Sequence, residues 1–122
     1  LYLGETLSDP EGKPWPMAGV LPGGAKNAGK LRRFGYGTLT ARKSGLLLDA
    51  GESLPAHTFH YWQSDWEGED LRFQKRDGRS WPGGWHTETL YAGFPHFHFG
   101  GRPGLAQRFL SRCMEYQREE GT

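Results

Sequence analysis

Residues 90–101, running from Leu90 through Tyr91, Phe94, Pro95, His96, Phe97, His98 and Phe99 to Gly101, form the most apolar run in a polar chain. They alternate. Phe94, His96 and His98 fall on one parity, Phe97 and Phe99 on the other. In a strand those parities are opposite faces. The alternation therefore predicts a strand with two imidazoles side by side on one face and a pair of Phe rings on the other. Gly100, Gly101 and Pro103 stop it. The Phe face would anchor in a core and the His face would open into a site. A buried strand end with two hydrogen-bonded histidines is the plainer reading of the same residues.

The rest of the chain is cut into short pieces. Its 122 residues contain 19 Gly and 8 Pro, which implies many turns, while 14% aromatic residues argue against disorder. The length allows one domain with a modest core. A formal net charge of +1 gives no reason to expect nucleic acid or an anionic membrane as partner. No apolar run approaches the roughly 20 residues of a membrane helix, and the sequence as it stands shows no signal-peptide pattern. The single cysteine, Cys113, forms no internal disulfide, which fits a cytoplasmic setting.

Leu3 and Leu7 are four apart, so the first seven residues read as a helix. Residues 8–14 read as a turn-rich loop, and Met17 to Leu21 as a short strand closed by Pro22 and Gly23. Ala25 to Arg33 is basic (Lys26, Lys30, Arg32, Arg33) and reads either as a solvated loop or as an anion contact. Phe34 to Lys43 has Tyr36, Thr38 and Thr40 on one parity and predicts a strand. Leu46 to Leu48 predicts another. His57 and His60 in the segment from Ser53 to Ser64 are three apart and face opposite ways in a strand, so one is expected to face a site and the other to be structural. Asp65 to Asp70 reads as a loop, Leu71 to Arg76 as a half-exposed strand, Asp77-Gly78 as a hairpin turn, and Ser80 to Thr89 as a loop. After Pro103-Gly104 the period changes. Leu105, Phe109, Arg112, Cys113 and Tyr116 follow a helical repeat and predict a terminal helix with Cys113 on its buried side. The expected fold class is α/β, a mixed sheet rich in antiparallel strands with a C-terminal helix.

The chemistry is narrowed mainly by what is missing. Five histidines invite a zinc hypothesis, but no HExxH or paired CxxC spacing is present, so no metal is assigned. Cys113 has no nucleophile elbow around it and no Gly-x-Ser-x-Gly occurs. Gly23-Gly24-Ala25-Lys26 lacks phosphate-loop spacing. A candidate base, His96, is left without a nucleophile to activate, which points to a nucleophile outside this chain.

Four separated pieces resemble the C-terminal part of the cobyrinic acid a,c-diamide synthase family, class I glutamine amidotransferase-like enzymes of cobalamin biosynthesis. They are Leu1 to Gly4, Pro16 to Gly23, Ala56-His57-Thr58-Phe59-His60-Tyr61, and Tyr91 to Phe99, in the family's order. The resemblance implies that residues 1–122 are the C-terminal portion of a glutaminase domain, beginning just after a Cys-Gly-Gly elbow, with the nucleophilic Cys and the ATP-binding domain absent. It implies a glutamine-dependent, ATP-dependent ligase amidating the a- and c-acetate carboxylates of a corrinoid, with ATP and Mg²⁺ in the full-length parent and no cofactor in this part. The carry-over makes His96 the catalytic histidine that raises the nucleophilicity of the Cys. His98 stands where amidotransferase triads usually carry Glu. His98, His57 and His60 are site support, and the second motif departs from the family's Gly-His-Glu-Phe-His-Tyr at Ala56 and Thr58. Implied partners are glutamine, a corrinoid and the missing N-terminal part of the same enzyme, and the open sheet left by its absence implies self-association. The other reading is a non-enzymatic His-rich module that binds a metal or a tetrapyrrole.

Overall fold

The computed structural model describes residues 1–121. Among these residues nine strands form two sheets, and one α-helix follows them. The first sheet is small and mixed. Its strand β1 (Thr6–Ser8) pairs antiparallel with β2 (Pro14–Pro16) and parallel with β3 (Gly24–Asn27). Strand β3 then pairs antiparallel with β6 (Trp62–Ser64). The loop between β1 and β2 closes on Asp9. Its carboxylate accepts the amides of Glu11 and Lys13 at 3.0 and 2.8 Å and the Trp15 indole N–H at 2.9 Å. Those bonds, that from Trp15 first, hold its pKa below the ordinary carboxylate value.

The second sheet is antiparallel throughout, in the order β5-β4-β7-β8-β9. Its strands are β4 (Arg33–Ala41), β5 (Ser53–His60), β7 (Leu71–Lys75), β8 (Ser80–His86) and the two-residue β9 (Tyr91–Ala92). Along β4, Leu39 and Ala41 are buried while Phe34 and Tyr36 are exposed. The partner strand β5 does the same with Leu54, Ala56 and Thr58 inside and Pro55 and Phe59 outside. The inner face packs Leu39, Leu54, Leu71 and Phe73 against Leu47, Leu48 and Leu105. Each such side chain, fully buried, contributes about 1.5–3 kcal/mol of transfer free energy.

The helix α1 (Leu105–Glu120) begins at Gly104, whose φ of 81° is a left-handed conformation suited to glycine. It is tied down near its start. Arg108 donates from Nη2 to the Gly45 carbonyl at 2.8 Å and to Asp49 Oδ1 at 2.9 Å. Arg102, just before the helix, donates to the Ser53 carbonyl at 2.7 Å and pairs with Glu52. Past Arg112 the helix leaves the body, and Met114 and Tyr116 are more than half exposed.

Several expectations are overturned. The first seven residues are turn and strand, not helix: Leu3 and Leu7 are only half buried, and residues 3–5 instead take main-chain bonds from Met17, Gly19 and Leu21. Met17 to Leu21 is irregular for the same reason, bonded to a turn rather than to a ladder. Lys26 lies in β3 rather than in a loop. Leu46 to Leu48 is a buried loop, its amides taken up singly by the Thr87 carbonyl and the His86 ring. Ser80 to His86 is a strand, not a loop. The pairing with β7 shifts register where Gly83 sits, and Gly84 at φ 135° could carry no side chain because a Cβ would lie 2.6 Å from the Ala92 carbonyl oxygen. Cys113 is exposed, because the helix has already left the core at that turn.

Candidate functional site

The segment after β9 does not continue as the expected strand. At Gly93 it bends, and at His96 it makes a single antiparallel bridge to His57 on β5. The two residues exchange main-chain bonds: His57 N–H to the His96 carbonyl at 2.9 Å, and His96 N–H to the His57 carbonyl at 2.7 Å. This bridge connects the free edge of β5 to the chain leaving β9, so the second sheet curls back on itself. Close approach at the bend needs glycine, since a Cβ on Gly93 would sit 2.6 Å from the Gly83 carbonyl oxygen. The Tyr91 hydroxyl donates to the Pro95 carbonyl at 2.8 Å, one residue before His96. Burial raises the Tyr91 pKa, so the phenol stays protonated and keeps that donor.

Main-chain pairing at positions 57 and 96 brings their rings together, with centroids 6.2 Å apart and planes at 60°. Tyr36, opposite His57 across the ladder, lies 5.2 Å from it on the other side. Tyr36, His57 and His96 thus make a row on the outer face of the sheet. They line an open cleft of about 900 Å³ with His98, Phe97, Gln74, Lys75 and Arg76. His98 is fixed by its own turn: its Nδ1 accepts the Gly100 amide at 2.9 Å and caps the 3-10 turn at Phe99–Gly101. In the neutral ring the proton is then on Nε2. Part of the expected parity remains, with His96 and His98 exposed in the cleft and Phe97 packed against the core, but Phe99 is exposed in the 3-10 turn and Phe94 stacks on His60 instead of joining the His face.

His60 goes elsewhere. Its ring stacks on Phe94 at 3.8 Å and 10°, and its Nδ1–H donates to the Trp62 carbonyl at 2.7 Å. Burial lowers its pKa, which favours the neutral ring. So the pair His57 and His60 divides as the strand period requires, one in the cleft and one packed. His86, to which the sequence assigned nothing, is fully buried. Its Nε2 accepts the Leu47 amide at 3.0 Å and its Nδ1–H donates to the Lys43 carbonyl at 3.2 Å, holding the Leu46–Leu48 loop in place.

The cleft offers imidazoles as bases beside two cationic side chains, Lys75 and Arg76, a setting that favours a thiolate or another anion. No Asp, Glu or Cys is among its lining residues, so neither a His–carboxylate pair nor a thiol comes from that lining. Among the described residues no three or more His, Cys, Asp or Glu side chains converge as a metal site would need. Gly24 to Lys26 lies in β3, whose ladder joins β1 to β6, and the only long helix among the described residues begins at Leu105. Among the described residues no helix is long and apolar enough to cross a membrane. Tyr36, Lys75 and Arg76 escaped the sequence reading, because only the strand register places them beside His57 and His96.

The relatives that comparison with known proteins gives include cobyrinate a,c-diamide synthases. The chain is 40% identical over 118 residues to the cobyrinate a,c-diamide synthase of Salmonella typhimurium, an alignment covering 91% of this chain and 25% of the relative. It is 34% identical to that of Gloeobacter violaceus, covering 93% and 25%, and 33% identical to that of Listeria innocua, covering 90% and 25%. The chain is thus homologous to cobyrinate a,c-diamide synthases and spans about a quarter of the length of these relatives. No family model matches, and no solved structure matches.

Proposed function

We propose that this chain is the C-terminal portion of the glutaminase domain of a glutamine-dependent, ATP-dependent ligase that amidates the a- and c-acetate carboxylates of cobyrinate in cobalamin biosynthesis. The observation that carries the reading is the exposed His96, held by its main-chain bridge to His57 in a cleft beside Lys75 and Arg76. The homology to cobyrinate a,c-diamide synthases supports it. The nucleophilic Cys and the ATP-binding domain belong to the remaining three quarters of such an enzyme.

In this reading His96 takes the proton of a Cys thiol presented across the cleft. The thiolate attacks the side-chain amide carbon of glutamine, ammonia leaves, and a thioester remains to be hydrolysed. His57 holds the His96 main chain through the bridge and borders its ring. His98 stays in the turn conformation that its own cap sets. Lys75 and Arg76 favour the anionic thiolate. Tyr36 closes the row on the far side of His57. His60 packs behind the site without entering it.

The test is the split between two amidation reactions in the complete enzyme. His96→Ala should abolish glutamine-dependent amidation while ammonia-dependent amidation continues. Equal loss of both would contradict the reading, as would full retention of the glutamine-dependent reaction.

A further inference from the structure

A second cleft, of about 550 Å³, opens between the chain entering β4 and the β7–β8 hairpin. It is lined by Leu31, Arg32, Arg33, Phe34, Lys75, Arg79, Ser80 and Trp81. Four of these are cations and none is an acid. Arg33 lies over the Trp81 ring at 4.6 Å, which fixes its guanidinium in the wall. Its Nε is buried without a hydrogen-bond partner, and its only ion pair among the described residues, to Glu67, is long at 3.9 Å. Arg79 is already engaged by Asp77 at 2.8 Å. Arg32 and Lys75 form no ion pair among the described residues. Two unpaired cations facing one hollow repel each other, and no carboxylate of the lining offsets them.

We propose that this cleft binds a small ligand carrying two or more carboxylate or phosphate oxygens on an apolar body. The anionic oxygens would meet Arg32 and Arg33, adjacent at the start of β4, and Lys75 at the end of β7. The apolar part would meet the exposed Phe34 ring, while Trp81, stacked on Phe73, holds Arg33 in the wall. The volume suits a small molecule rather than a polymer groove. The proposal does not depend on the glutaminase reading, since it uses a different hollow. Lys75 borders both.

Titration calorimetry with benzene-1,3,5-tricarboxylate in one arm and inorganic pyrophosphate in the other tests this and separates the two sources of anionic oxygen. Saturable binding of either probe is expected, weakened roughly ten- to hundredfold in Arg32→Glu and largely kept in Arg32→Lys. The control is Arg118→Glu, on the exposed end of the helix, which makes the same change in net charge and should leave binding unaltered. Preference for the tricarboxylate names a carboxylate ligand, and preference for pyrophosphate a phosphate one. Absence of saturable binding for both probes overturns the proposal. So does equal weakening by Arg32→Glu and Arg118→Glu, because net charge alone would then account for it.

Discussion

His57 and His96 are bonded to each other twice through their main chains, at 2.9 and 2.7 Å, and their rings then stand 6.2 Å apart in one cleft. The backbone of His96 is therefore structural while its exposed side chain is free for chemistry. The two roles separate by substitution. His96→Ala keeps the bridge and should change stability by no more than about 0.5 kcal/mol. His96→Pro removes the donor and should lose about 1–3 kcal/mol. Urea unfolding of both variants checks this. A large loss in His96→Ala would mean that the ring itself holds the fold.

His86 is the opposite case, a histidine whose ring is wholly structural. His86→Ala leaves the Leu47 amide without its acceptor and opens a cavity behind the loop, and should cost about 2–4 kcal/mol. Thermal unfolding measures it directly.

The two packed histidines also set a pH dependence. Burial lowers the pKa of His60 and of His86 below 6.5 in the folded chain. As pH falls below 6.5 the unfolded chain takes up those protons first. Their contribution to stability is thus whole above about pH 6.5 and is lost as pH drops towards the folded values. The urea midpoint should fall between pH 7 and pH 5. In His86→Gln it should start lower and fall less steeply. An equal slope in the two proteins would remove His86 from the account.

Thr58 is fully buried, and its Oγ1 has no hydrogen-bond partner. Thr58→Val deletes that unmet group at nearly constant shape and should be neutral or stabilising by up to about 1–2 kcal/mol. Thr58→Glu would put a carboxylate on the buried face of β5 beside Leu54 and Ala56 and should destabilise. Chemical denaturation of the pair settles the sign.

Where the fold was legible in the sequence, a single face of the strand carried it. In β4 the parity of Tyr36 and Thr38 reads the strand, and in β7 the alternation of Leu71 and Phe73 with Arg72 and Gln74 reads another. Strand β8 could not be read, because Pro82, Gly83 and Gly84 look like a loop until the register shift that accommodates them is seen. Leu46 to Leu48 misled in the other direction: Leu47 and Leu48 are buried from a loop whose Leu46 and Leu47 amides are met by separate acceptors, which no periodicity encodes. Cys113 followed the helical repeat correctly, but the repeat does not record where the helix leaves the core. The site was half legible. Parity placed His96 with His98, and the three-residue spacing separated His57 from His60. That His57 would be the neighbour of His96 depended on the edge of β5 meeting a segment far along the chain.

The most direct measurement of the central claim is the rate at which an electrophilic glutamine analogue labels the nucleophilic Cys of the complete enzyme, wild type against His96→Ala, followed across pH. If His96 is the base, His96→Ala slows labelling by roughly 10²–10⁴-fold near neutral pH and alters its pH profile. Labelling at the wild-type rate, with an unchanged pH profile, would contradict the account.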